Sequence, residues 1–184
     1  MADYIGINVP KPIVVDAIIS TSGTTSVICS GADFVGMGVQ VGDTVLNITD
    51  TEFTTVTDVV SKTQLTVSPA GTFTATTDKI CVLSATENIL VPVRIESILT
   101  VNTGIYTGNN QLNLKLLSNE TANDFIKVYI EDGGNTTSAQ RNKITESFIA
   151  SISNALAKGY QPNIVSTLAL PDGAKYSYVM LDSD

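Results

Sequence analysis

GVQVGDTVLNITDTEFTTVTDVVSKTQLTVS, residues 38–68, is the stretch that decides the fold of this chain. Thr and Val dominate it, turn residues interrupt it, and Lys62 is its only lysine. Gln64-Leu65-Thr66-Val67-Ser68 alternates apolar with polar, which is the two-residue period of a strand with one buried face. Leu65 and Val67 take that face. Leu46 and Ile48 do the same in the preceding run. Thr is abundant because a β-branched side chain suits a half-exposed pleat. Gly42-Asp43 reads as the turn that opens the strand at Thr44.

The same pattern extends outward in both directions. Short apolar runs at residues 13–20, 25–29, 44–49, 54–60, 64–68 and 79–83 alternate with turn signals, as in a small barrel or sandwich. Ser22-Gly23 fits a hairpin between Ile19 and Val27. Upstream, Pro10 and Pro12 flank Lys11. Proline fixes φ and removes a donor, so residues 1–12 are expected to be an extended arm. Downstream, SATENILVP (84–92) breaks the alternation and reads as a linker, with a boundary near residue 90.

The second half changes character. Residues 95–101, 111–117 and 125–131 are strand-like, with Leu112, Leu114 and Leu116 on one face of the second and Ile126, Val128 and Ile130 on one face of the third. Ile144, Phe148, Ile152 and Ala155 then recur at helical spacing, widened by Ile149 and Leu156, so the spacing predicts a helix over about 138–158. Thr137 and Gln140 suit a capping box, and Lys158 with Gly159 marks the stop. Strands at 164–170 and 175–181 follow, joined by Pro171-Asp172-Gly173. The expected fold is mainly β with one helix. An all-β barrel or sandwich module (13–88) precedes an α+β module (89–184) whose helix packs on an antiparallel sheet.

Composition limits the partners. A chain of 184 residues buries about two thirds of its unfolded surface and supports a real core. Its net charge is −8 and its ten Lys and Arg are scattered, so it lacks the positive surface that displaces phosphate counterions. Direct nucleic-acid binding is not expected. No run is long enough to span a bilayer as a helix, and the first twenty residues lack the pattern of a signal peptide. Cys29 and Cys81 each sit in an apolar run and read as buried thiols, and a disulfide between them would require their strands to be neighbours.

The search for chemistry finds little. Histidine is absent, which removes the commonest general base and metal ligand. Neither a phosphate-binding Gly-rich loop nor a CxxC pair is present. Glu131 and Asp132 do not have calcium-loop spacing. Asp50 and Glu52 would form a glycosidase pair only if folding set them across a cleft. No catalytic residue, cofactor or metal ligand is expected. Tyr176 and Tyr178 fall on one strand face and suit core or interface packing, or part of a sugar platform.

Phe34, the run Gly36-Met37-Gly38-Val39-Gln40-Val41-Gly42-Asp43-Thr44-Val45-Leu46-Asn47, then Thr55-Val56-Thr57-Asp58-Val59 and Gln64-Leu65-Thr66-Val67 resemble a β-barrel module of tailed-bacteriophage structural proteins. The resemblance covers about residues 13–83. More loosely, the second half resembles the strand-plus-helix segments of phage head accessory proteins. It implies a non-enzymatic virion protein made in the bacterial host cytoplasm. Its partners would be the major capsid protein and copies of itself in a homo-oligomer. The chain is short for a shell-forming protein, so an auxiliary, decoration-type capsid protein is expected. Tyr4, Pro10, Lys11, Pro12, Tyr176 and Tyr178 are the candidate interface residues, with the arm as tether. A neck or tail component is the alternative, and a host- or carbohydrate-binding module a more distant one.

Overall fold

Gln64–Ser68 buries Leu65 and Val67 and exposes Ser68, as its alternation requires. The computed structural model describes residues 4–94, 98–102, 111–116, 125–131, 138–157, 163–164 and 175–182. In chain order these form β1 (Tyr4–Ile18), β2 (Ser26–Ile28), β3 (Thr44–Asn47), β4 (Glu52–Ser61), β5 (Gln64–Ser68), β6 (Lys79–Arg94), β7 (Ile98–Asn102), β8 (Gln111–Leu116), β9 (Phe125–Glu131), α1 (Ser138–Ala157), β10 (Asn163–Ile164) and β11 (Lys175–Asp182). The protein is mainly β, with one helix among the described residues. Its contacts divide it into two compact units, Pro10–Asn88 and Met1–Val9 with Ile89–Asp184.

In the unit Pro10–Asn88 the strand order is β1-β6-β3-β4-β5-β2. β3 is central, with Val45 opposite Val82 of β6 on one side and Thr54 of β4 on the other, both antiparallel. Val45, Leu46 and Asn47 are consecutive and all buried, so both faces of this short strand are covered. The core on one face gathers Val27, Val45, Val56, Leu65, Ile80 and Val82, and loop residues Phe34 and Phe73 close it. The sheet is not closed, so the barrel expectation narrows to an open sheet. Cys29 belongs to this core, and burial pushes its thiol up to about 11. Both cysteines are buried, and no disulfide joins Cys29 to Cys81.

Two segments depart from the sequence expectation. Residues 84–92, expected as a linker, continue β6 without interruption. Ala85 through Leu90 are exposed, so no buried face imposes an alternation there. Pairing with β1 carries the strand instead. Lys11 Nζ meets Glu87 Oε2 at 2.7 Å, and Ile19 N–H donates to Asp78 O at 3.0 Å, so β1 and β6 run antiparallel. Residues 1–12, expected as an arm, are indeed extended where described. They are nonetheless built into the fold, because β1 starts at Tyr4 and Ile7 and Val9 are buried. Apolar residues at positions 5, 7 and 9 carry the alternation that the prolines obscure. Around Gly23 the hairpin is wider than expected, since Thr21 pairs with Ile28 and Gly23 pairs with Phe73.

In the other unit the antiparallel order is β11-β9-β8-β7. Val128 and Ile130 of β9, Tyr176 and Tyr178 of β11, and Ile144 and Phe148 of α1 are buried. The Phe148 and Tyr176 rings meet edge to face, 5.9 Å between centroids at 64°, which lays the helix on this sheet. A register shift between Tyr176 and Tyr178 interrupts the pairing with β9. β10 runs parallel to the start of β1, Ile5 opposite Asn163 and Gly6 opposite Ile164. A Cβ at Gly6 would lie 2.7 Å from Cδ1 of half-exposed Leu90, whose side chain would have to swing aside. The expected cap at Thr137, the stop at Lys158 and Gly159, and most of the strand expected at 164–170 lie outside the described residues.

Candidate functional site

The open seam of the Pro10–Asn88 sheet lies along β1. β6 occupies one edge of that strand. On the other edge β10 reaches only Ile5 and Gly6, and among the described residues no strand pairs there with residues 13–18. Asp16, inside that stretch, has φ 54°, a left-handed conformation that Asp tolerates better than bulkier residues. Beyond it the chain is tied down again. Ser20 N–H donates to Ile28 O at 2.7 Å, and Thr76 N–H donates to Ile19 O at 2.8 Å.

The facing wall is fixed by its own bonds. Cys29 N–H donates to Thr63 O at 2.9 Å, and Phe34 N–H donates to Lys62 O at 2.7 Å. Phe34 is wholly buried and anchors the loop that follows. Asp33 Oδ1 accepts from Gly36 N–H at 2.8 Å and tightens the turn. Between the walls is an open groove of about 570 Å³, lined by residues 14–20 and 30–32, Met37 and Thr76. Val15 is 52% exposed, Ile18 54% and Met37 53%, with Val35 (54%) and Val41 (64%) on the same loop as Met37. Such a gathering of solvated aliphatic side chains marks a contact surface more than a solitary exposed residue does. Lined by aliphatic side chains and few polar ones, the groove suits polypeptide better than a polar small molecule.

The acidic residues serve the fold. Asn47 Nδ2 donates to Asp78 Oδ2 at 3.0 Å, to Thr72 O at 2.8 Å and to Asp50 Oδ2 at 3.2 Å. Its Oδ1 accepts from the Thr49 and Asp50 amides. Burial works to raise the Asp78 pKa, but bonds from the Thr74 amide, Asn47, Thr77 and Asp50 outweigh it and hold the carboxyl below its usual value. Asp50 is shifted upward, by desolvation and then by the charges of Asp78 and Glu52. Glu52 Oε2 accepts from Thr72 N–H at 2.6 Å. Asp50 and Glu52 thus both hold loops in place. Asp43, expected in a turn, is buried and accepts from the Gln40 and Ala85 amides, so it joins the approach to β3 with β6. Among the described residues no group of three or more acids or cysteines is arranged to hold a metal ion.

The sequence-derived interface residues fall in different settings. Pro10 and Pro12 are half-buried in β1, and Lys11 is engaged in its exposed ion pair with Glu87. Tyr4 begins β1. Tyr176 and Tyr178 are only 7% exposed, so their rings serve the interior of their unit and present no platform. The groove escaped sequence analysis. Its signal was the unbroken apolar runs Ile13-Val14-Val15 and Ala17-Ile18-Ile19 around a lone Asp16, more apolar surface than one buried strand face accounts for. No protein-family model, curated protein or solved structure matches this chain.

Proposed function

We propose that the protein is a non-enzymatic structural component of a tailed-phage particle, an auxiliary capsid protein that binds the assembled shell and ties neighbouring subunits together. The supporting observation is the groove beside β1, which Val15, Ile18 and Met37 line with exposed aliphatic side chains on a chain with few charges. Interface cores disfavour Lys, Glu and Asp, and an uncharged, rigid β surface is what a lattice neighbour covers at low cost. A protein that binds only the assembled lattice stabilises that lattice by mass action. The motif from Phe34 to Val67 supports the same reading, because buried Phe34 and its amide bond to Lys62 O anchor the loop that carries Met37 on the groove's far wall. Direct contacts with the shell protein and with other copies of this chain are the expected partners.

Gold-labelled antibody against the recombinant chain, imaged on phage particles, tests this. Label spread over the head is expected. Label confined to one vertex or to the tail replaces the auxiliary capsid assignment with a connector or tail part, and particles without label end the virion assignment.

A further inference from the structure

We infer that the groove is a strand-addition site, in which residues 13–18 of β1 accept an extended segment of a different polypeptide. The segment is apolar at alternate positions and carries a basic residue. This goes beyond the proposed role in a particle and stands without it.

The edge of residues 13–18, which no described strand pairs, specifies the occupant. A strand edge presents a row of backbone donors and acceptors that another strand satisfies, and proteins usually blunt such edges with Pro, Lys, bulges or a covering element. Here Pro10, Lys11 and Pro12 blunt the start of the free edge, but the following Ile13-Val14-Val15 has no such device. β6 already fills the other edge, and among the described residues β10 pairs only with Ile5 and Gly6. A helix or a small molecule would leave that backbone row unmet, whereas an added strand pairs with it. Six residues of edge match an added strand of about six residues, or about 20 Å. Val15 and Ile18 on one wall and Met37 on the other supply apolar contacts beside the backbone pairing.

Charge distinguishes a foreign segment from a second copy. Asp16 is the one charged residue lining the groove among those described, and no lysine or arginine lines it. Two copies of β1 meeting edge to edge would bring two Asp16 carboxylates close together between chains that each carry −8. A Lys or Arg in the incoming segment meets Asp16 favourably instead.

The test uses the full chain and a panel of capped peptides of about eight residues, with Val, Ile, Leu or Phe at alternate positions and Lys at the flanks. Binding is read by fluorescence anisotropy, and the edge is read by amide hydrogen exchange. Expected are saturable binding, new protection at alternate amides within residues 13–18, and about tenfold weaker binding after N-methylation of the peptide's pairing amides. Replacing flanking Lys with Glu should also weaken binding, and Asp16→Asn should remove that preference. Three results would overturn the inference: no binding by any member of the panel, binding unaffected by N-methylation, or protection confined to another region. Concentration-dependent dimerisation of the protein alone, with protection of residues 13–18, would assign the groove to a second copy and also overturn it.

Discussion

Asn47 at the end of β3 and Asp78 just before β6 are 31 residues apart in sequence, yet their side chains meet in a buried hydrogen bond of 3.0 Å. The amide simultaneously holds Thr72 O and Asp50, so one side chain joins the β3–β4 turn, the loop after β5 and the entry to β6. The bond satisfies a buried carboxylate that would otherwise oppose folding.

Truncation of Asn47 is therefore expected to cost more than a surface change. Asn47→Ala leaves buried Asp78 short of one donor, while the Thr72 carbonyl, on an exposed residue, can turn to water. An unmet buried polar group costs about 1–3 kcal/mol, and Asp78 keeps its bonds from the Thr74 amide and the Thr77 hydroxyl, so a loss of about 2 kcal/mol is expected. Urea denaturation of the variant and the parent measures it. A loss below about 0.5 kcal/mol, typical of a surface site, would show that the three segments hold without the hub.

The two acids on this hub give opposite pH signatures. Asp78 has a folded-state pKa below its ordinary 3.8, so its stabilisation is present above that value and lost as pH falls. Asp50 is raised above 3.8, so its contribution is present at low pH and lost as pH rises through its folded-state pKa. Asp50→Asn keeps an acceptor for Asn47 while removing the charge beside Asp78 and Glu52. The variant should be more stable than the parent at neutral pH, by about 0.5 kcal/mol because Asp50 is exposed and screened. The advantage should disappear once Asp50 is protonated in the parent. Denaturation curves from about pH 3 to pH 7 read the difference, and an advantage independent of pH would contradict the charge argument.

Gly42 shows a local requirement visible in the sequence. Its φ is +98°, and its N–H donates to Val56 O at 2.8 Å at the entrance to β3. No atom lies within 4 Å of a Cβ added there, so the penalty for Gly42→Ala comes from the backbone, about 1–2 kcal/mol. Gly31 also has open space and an ordinary φ, so Gly31→Ala should be neutral or stabilising by a few tenths of about 1 kcal/mol. Thermal melts of the two variants separate the causes. Equal effects would remove the backbone explanation.

The sequence announced elements whose neighbours enforce a pattern and concealed those whose neighbours do not. Leu65 and Val67 alternate because one face of β5 meets the core, and Ile144 and Phe148 recur because one side of α1 meets a sheet. Residues 85–90 of β6 are exposed, so polar letters there resembled a linker. The Asn47–Asp78 hub is set by chain return over 31 residues, beyond any local spacing rule. The groove lies where no described strand pairs with residues 13–18 of β1, and in the sequence it left only a surplus of apolar residues.

Tyr176 provides a test in the other unit. Its ring packs against Phe148, but its hydroxyl is buried and makes no hydrogen bond among the described residues. Burial alone pushes the phenol well above its usual range, the signature of a polar group desolvated without a partner. Tyr176→Phe preserves the ring and its edge-to-face contact and removes only the unmet oxygen. The variant should be as stable as the parent or more stable by about 1 kcal/mol. Tyr176→Leu instead sacrifices the aromatic pair and part of the buried volume, and should lose about 2 kcal/mol. Paired urea titrations of the two variants decide the matter. Destabilisation by Tyr176→Phe of more than about 1 kcal/mol would mean that the hydroxyl has a partner in solution, a water or another chain, and would return Tyr176 to the candidate interface.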